Sequence, residues 1–105
     1  MTDEILLSVR YAGEPGSRFD RDFYVQHHVP MVLDAWAKYG LLSATTLFPA
    51  DPKCELLAIC ECRFRDAAGL EAAFASPEAA TIMAHIPLFS DVAPTRLRLV
   101  PYMGG

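Results

Sequence analysis

Residues Phe19 to Met31, Phe-Asp-Arg-Asp-Phe-Tyr-Val-Gln-His-His-Val-Pro-Met, gather side chains that can move protons beside apolar surface. An imidazole titrates near neutrality and can serve as general acid or base. Read as a helix, the stretch places Tyr24 and His28 one turn apart, and Phe19, Phe23 and His27 on an i, i+4, i+8 course. His27 and His28 diverge by about 100° around such a helix, so they cannot aim at one atom. No Asp, Glu or Cys stands at helical spacing to complete a ligand set, and no metal is expected. Two readings stay open. In one, a histidine acts as general acid or base, with Tyr24 orienting its ring or sharing its proton. In the other, one histidine hydrogen-bonds a carbonyl freed by Pro30 and the other faces water. His85, an isolated histidine near Pro87, is open to the same two readings. Phe19, Phe23, Tyr24, Trp36 and Phe89 are either ordinary core or the walls of a small-molecule pocket.

The elements that must position these residues follow from periodicity. Glu4 to Tyr11 reads as a strand with Ile5, Leu7, Val9 and Tyr11 on one face. Gly13, Pro15, Gly16 and Ser17 mark a loop. Asp20 can cap the next helix. Pro30 lacks an N–H, so two helical pieces are expected, Asp20 to about His28 and Pro30 to Tyr39, ended by Gly40. Leu41 to Phe48 is the second strand. In Glu55 to Phe64, the clearest strand, Leu56, Ala58, Cys60, Cys62 and Phe64 alternate with Leu57, Ile59, Glu61 and Arg63. Asp66 can cap a helix through Ala75, which Ser76-Pro77-Glu78 restarts toward His85. Thr95 to Tyr102 supplies the last strand. Arg10, Arg63, Arg96 and Arg98 are assigned to the less apolar strand face, as solvated edges or partners of Glu61. His28-Val29-Pro30-Met31 and His85-Ile86-Pro87-Leu88 share a His-x-Pro-apolar pattern, which three histidines and eight prolines can produce by coincidence.

The order β-α-β-β-α-β predicts an α+β, ferredoxin-like fold, an antiparallel sheet with its helices on one face. The other face would carry alternating apolar side chains, including some of the Leu, Ile, Cys and Phe of the strands. Two copies covering that face would make a homodimer. With 105 residues, 52% of them hydrophobic and 21% charged, the chain is read as one ordered domain over residues 1–105. A formal charge of −4 and scattered arginines exclude nucleic acid as an expected partner. No apolar run approaches the roughly 18 residues of a membrane span. The Met-Thr-Asp-Glu start lacks a signal peptide's basic and apolar regions, so the cytoplasm is the expected compartment. Cys54, Cys60 and Cys62 fit no zinc spacing and are read as reduced. Cys60 and Cys62 share a strand face at about 6.5–7 Å, the limit for a bridge. The phosphate-loop, dinucleotide and Gly-x-Ser-x-Gly patterns are absent, and no cofactor is expected.

Three passages resemble the EthD family, named for ethyl tert-butyl ether degradation, within the dimeric α+β barrel superfamily. They are Val9-Arg10-Tyr11 before a Pro/Gly loop, Phe19-Asp20 leading through Phe23-Tyr24 to His27-His28-Val29-Pro30-Met31, and Ala84-His85-Ile86-Pro87-Leu88-Phe89-Ser90-Asp91. Phe23 stands where the family often has a second tyrosine, and Leu88 where it often has asparagine. The resemblance implies a homodimer with one cleft per subunit between helices and sheet, in a setting of small-compound breakdown. Relatives in the superfamily include cofactor-free monooxygenases, cyclases, isomerases and decarboxylases, so the fold selects no single chemistry. By position, the resemblance makes His28 the first catalytic candidate, with Tyr24 and His27 next. Phe23, Trp36, His85 and Phe89 would shape the site. The expected activity is acid–base catalysis on a small hydrophobic substrate. The alternative is a non-enzymatic accessory binder of a hydrophobic intermediate that supports a degradative oxidase.

Overall fold

The computed structural model describes residues 3–14 and 16–101. Met1, Thr2, Pro15 and the Tyr102 end of the expected last strand lie outside them. The long alternation at Leu56–Phe64 forms strand β3, around which the sheet is assembled. β3 pairs antiparallel with β1 (Ile5–Ala12) and with β2 (Leu41–Leu47). The strand β4 (Thr95–Leu99) joins the outer edge of β1, so the order is β2-β3-β1-β4. This is the expected ferredoxin-like arrangement. Register places Leu7 opposite Cys62, Val9 opposite Cys60 and Tyr11 opposite Ala58. Leu7, Tyr11, Ala58, Cys60, Cys62 and Phe64 are all buried on this side, beneath the helices.

The first helical region departs from expectation in one respect. Asp20 caps it, its carboxylate accepting the Phe23 N–H at 3.1 Å, and α1 (Arg21–Phe23) begins there. A π-helical turn, Tyr24–His28, then runs directly into α2 (Val29–Trp36). The predicted break at Pro30 is absent: His28 (φ −72°, ψ −52°) and Val29 (φ −62°, ψ −45°) are helical. The reason lies in the hydrogen bonds. The Val29 N–H donates to the Tyr24 carbonyl, five residues back, and the wider turn gives the proline ring room beside the preceding carbonyls. A turn at Ala37–Tyr39 and Gly40 at φ 102° end the region.

The second helical region follows its sequence signals. Asp66 accepts from the Gly69 N–H at 2.7 Å and opens α3 (Ala67–Ala75). Ser76, at ψ 157°, interrupts the helix, and Pro77 opens α4 (Pro77–His85). A further turn, Ile86–Leu88, carries the chain past the site.

The open sheet face is more mixed than predicted. The inner residues of β3 include both of its cysteines and Phe64, so none of these reaches the open side. What remains there combines Leu6, Leu47, Ile59, Leu97 and Leu99 with Ser8, Arg10, Thr45, Glu61 and Arg63. Arg63 pairs with Glu4 at 2.7 Å rather than with Glu61. Arg96 and Arg98 lie opposite Val9 and Leu7 and are therefore on the helix side, against expectation. β4 is an edge strand with every residue exposed. The Arg96 guanidinium lies 5.7 Å from the centre of the Phe74 ring, and Arg98 pairs with Glu71 at 3.5 Å.

Candidate functional site

The π turn sets the chemistry. Widening the helix at Tyr24–His28 turns Tyr24 and His28 into the core and leaves His27 on the solvent side. Single π turns occur often at functional positions. The chain of aromatic contacts then fixes His28. Tyr24 lies nearly parallel to it, with ring centres 5.4 Å apart and planes 20° apart. Fully buried Phe89 closes another side at 4.6 Å. On the remaining edge, His28 Nδ1 meets His85 Nδ1 at 3.0 Å. The two histidines of the His-x-Pro echo, 57 residues apart in sequence, therefore share a hydrogen bond. One ring must donate and the other accept.

His28 is only 4% exposed. Burial, assisted by the neighbouring His85, pushes its pKa down from 6.5 to about 4. At neutral pH the ring is uncharged. Its Nδ1 is engaged with His85. His28 also lines a narrow cleft between helices and sheet with a volume of about 40 Å³. The cleft is bounded by β1, β3, the Tyr24–His28 turn, α2 and α4, and its walls are mainly aliphatic and aromatic.

Of the residues singled out in the sequence, Tyr24, His28 and Trp36 line this cleft. His85 stands behind His28, and Phe89 supports both His28 and Tyr24, the latter at 5.0 Å. Phe23 lies outside the lining, between His27 at 4.9 Å and His85 at 5.4 Å. His27 is exposed and away from the cleft. Tyr24 meets His28 through its ring face, while its hydroxyl interacts with Cys60 and Tyr11.

Tyr11, Cys60, Cys62 and Arg96 also line the cleft and were not foreseen as site residues. Strand alternation already put Tyr11, Cys60 and Cys62 on apolar faces, which was the available signal. Burial raises the Tyr11 and Tyr24 hydroxyl pKa values, so both stay protonated. The Cys60 and Cys62 sulfurs lie 3.9 Å apart and are unbridged. Hydrogen bonding from Cys62 draws the Cys60 pKa down to about 7 and pushes that of Cys62 up. Among the described residues, no group of three or more His, Cys, Asp or Glu is placed to hold a metal. No described helix is long and apolar enough to cross a membrane.

No protein-family model matches the chain, and no curated protein sequence does. Solved structures do. The chain resembles an EthD-like protein from Ralstonia eutropha JMP134 at 23% identity and a TM-score of 0.81, covering 93% of this chain and 91% of that one. It resembles an ethyl tert-butyl ether degradation family protein from Bacillus halodurans at 17% identity and a TM-score of 0.72, with 94% and 99% covered. A cofactor-independent oxygenase from Streptomyces nogalater matches at 12% identity and a TM-score of 0.73, over 98% and 97%. These likenesses show the fold, α+β and ferredoxin-like, with an antiparallel four-stranded sheet. It is the fold of the EthD-like proteins.

Proposed function

We propose that this chain is an EthD-like enzyme of small-molecule catabolism in which His28 exchanges a proton with a hydrophobic substrate held in the helix–sheet cleft. The observation that carries this reading is the His28–His85 pair, a neutral buried imidazole facing the cleft and bonded to a less buried one behind it. When the shared proton sits on His28 Nδ1, its Nε2 lone pair is free and the ring is a base. When the proton sits on His85 Nδ1, His28 Nε2 carries a proton and the ring is an acid. One role converts into the other when His28 Nε2 takes a proton from the substrate, the shared proton passes from His28 Nδ1 to His85 Nδ1, and His85 Nε2 releases a proton to water. Tyr24 and Phe89 hold the His28 ring in place, and Trp36 forms part of the wall. The likeness to a cofactor-independent oxygenase is in keeping with chemistry that starts from the substrate's own electrons. We further propose a homodimer formed through the open sheet faces, where Leu47, Leu97 and Leu99 are 48%, 45% and 38% exposed.

A rival reading, a carrier of hydrophobic intermediates, draws on the low basicity of His28, since a pKa of about 4 makes a weak base. Deuterium exchange from solvent into a panel of enolisable ketones, followed by NMR, separates the two. His28→Gln should slow exchange by about 10²–10⁴-fold, and His85→Gln should slow it less and change its pH profile. Exchange unaltered in a folded His28→Gln protein refutes catalysis by this residue. Ligand binding without exchange in either protein supports the carrier.

A further inference from the structure

The two segments that carry the histidine pair are clasped together through one side chain. Arg18 stands two residues before the Asp20 cap of the helical region that holds Tyr24 and His28. Its Nε donates to Asp91 Oδ1 at 3.0 Å, its Nη1 to the Leu88 carbonyl at 3.2 Å and its Nη2 to the Pro87 carbonyl at 2.7 Å. A guanidinium can serve three such acceptors because its donors form a rigid fork, whereas an ammonium is a compact point charge. All three acceptors lie in the stretch that follows His85, between α4 and β4. Main-chain bonds hold the far part of it: the Asp20 N–H donates to the Phe89 carbonyl at 2.8 Å, and the Asp91 N–H to the Arg18 carbonyl at 3.1 Å. Pro87 and Leu88 sit nearer His85 and are exposed, so they bring little packing of their own. Among the described residues, the hydrogen bonds that reach these two from another element come from Arg18. What this turn positions is the site. His85 precedes it and bonds His28 Nδ1 at 3.0 Å, and Phe89 follows it with its ring centre 4.6 Å from that of His28.

We propose that Arg18 is a positioning residue of the His28–His85 pair, fixing the turn that carries His85 and Phe89 against the helical region that carries His28. This role deepens the acid–base reading and rests on it for its catalytic consequence, while the placing of the rings stands apart from that reading. Releasing the fork frees Pro87 and Leu88, lets Phe89 and His85 move off the His28 ring, and admits water to it. Both changes act in one direction. Burial chiefly, with His85 beside it, keeps the His28 imidazole from taking a proton, so loosening either raises its pKa toward the ordinary histidine value. The other titratable groups around His28 are Tyr24 on its face and Tyr11, Cys60, Cys62 and Arg96 along the same cleft. Arg18 hydrogen-bonds to Asp91 and to carbonyls of the turn instead, so its effect on His28 travels through that turn.

The test is the titration of His28, followed by NMR, in the wild type and in Arg18→Gln, Arg18→Lys and Arg98→Gln. The last is the control. Arg98 pairs with Glu71 and does not line the cleft, and that pair is 49% and 67% exposed against 48% and 58% for Arg18 and Asp91. Pairs so exposed contribute little to global stability, so the melting temperature should fall only slightly in each variant. The His28 midpoint should rise by about one pH unit in Arg18→Gln. It should rise by about half as much or more in Arg18→Lys, which keeps the charge and loses the fork. Arg98→Gln should leave it within about 0.2. The acid limb of ketone exchange should move with the midpoint, because a protonated ring cannot accept a proton. A midpoint unmoved in Arg18→Gln, or moved equally in Arg98→Gln, overturns the proposal. So does a midpoint that Arg18→Lys restores fully, since charge alone would then account for it. Should Arg18→Gln not fold, Arg18→Lys decides: a raised midpoint supports the proposal and an unmoved one overturns it. A midpoint that moves while the acid limb stays in place keeps the positioning role and removes the acid–base reading. Exchange that needs His28, with a midpoint indifferent to Arg18, removes the positioning role alone.

Discussion

Lowering the pH should destabilise the protein through His28, and the size of the effect follows from its surroundings. In the unfolded chain the imidazole takes up its proton near pH 6.5, while in the folded protein it resists until about pH 4. Between these values the unfolded state binds more protons, so stability falls as pH falls. Above pH 6.5 both states are neutral at this residue and it contributes nothing. At about 1.4 kcal/mol per tenfold change in proton affinity, the full effect has an upper bound of about 3 kcal/mol. Water entering the half-open cleft screens the charge, which reduces the expected value to about 1–2 kcal/mol. The perturbation is His28→Gln, which removes the titration and keeps a polar side chain of similar reach. Urea unfolding of both proteins at pH 7.5, 6 and 5, at fixed concentration, gives the difference directly, because effects of the carboxylates cancel between them. The wild type should lose about 1–2 kcal/mol more than the variant over that range. Parallel losses would refute the burial of a neutral ring at this position.

Other consequences are as direct. Gly69→Ala would force a Cβ against the Tyr39 backbone carbonyl, so the variant should lose about 2–4 kcal/mol, seen as a lower melting temperature. Ile59→Glu puts a charge at the centre of the open sheet face and should convert the proposed dimer to monomer in light scattering, with unchanged circular dichroism; a dimer that persists would move the interface elsewhere. Thiol titration of the native protein should detect Cys54 rapidly and Cys60 and Cys62 only after denaturation, since the first is exposed and the others are 4% exposed each.

Much of the fold can be read from local signals. The alternation through Leu56–Phe64, the caps at Asp20 and Asp66, Pro77 after Ser76 and Gly40 each act within a few residues, and each appears where expected. The outcome at Pro30 is different, because a proline can end a helix or be absorbed by a wider turn. The choice depends on whether packing rewards continuity, and here Tyr24 and His28 are buried by it. The faces of the sheet pose a related problem. Periodicity groups Arg96 with Arg98 and Leu97 with Leu99, but only the pairing with β1 decides which group lies beneath the helices. The candidate site was visible in part for the same reason. Tyr24 and His28 are neighbours on one helix and can be linked from spacing alone. His85 reaches His28 only through the tertiary fold, and Arg96 joins the cleft only because the last strand takes the edge beside β1.

The most direct test of an acid–base site at His28 is long-range proton–nitrogen NMR of the imidazoles, with and without saturating 1-naphthol. His28 should be neutral at pH 7 in the free protein, and ligand should shift its Nε2 resonance strongly, with a smaller change passed to His85. A His28 ring already charged at pH 7, or one whose signals stay fixed while the ligand binds, would contradict it.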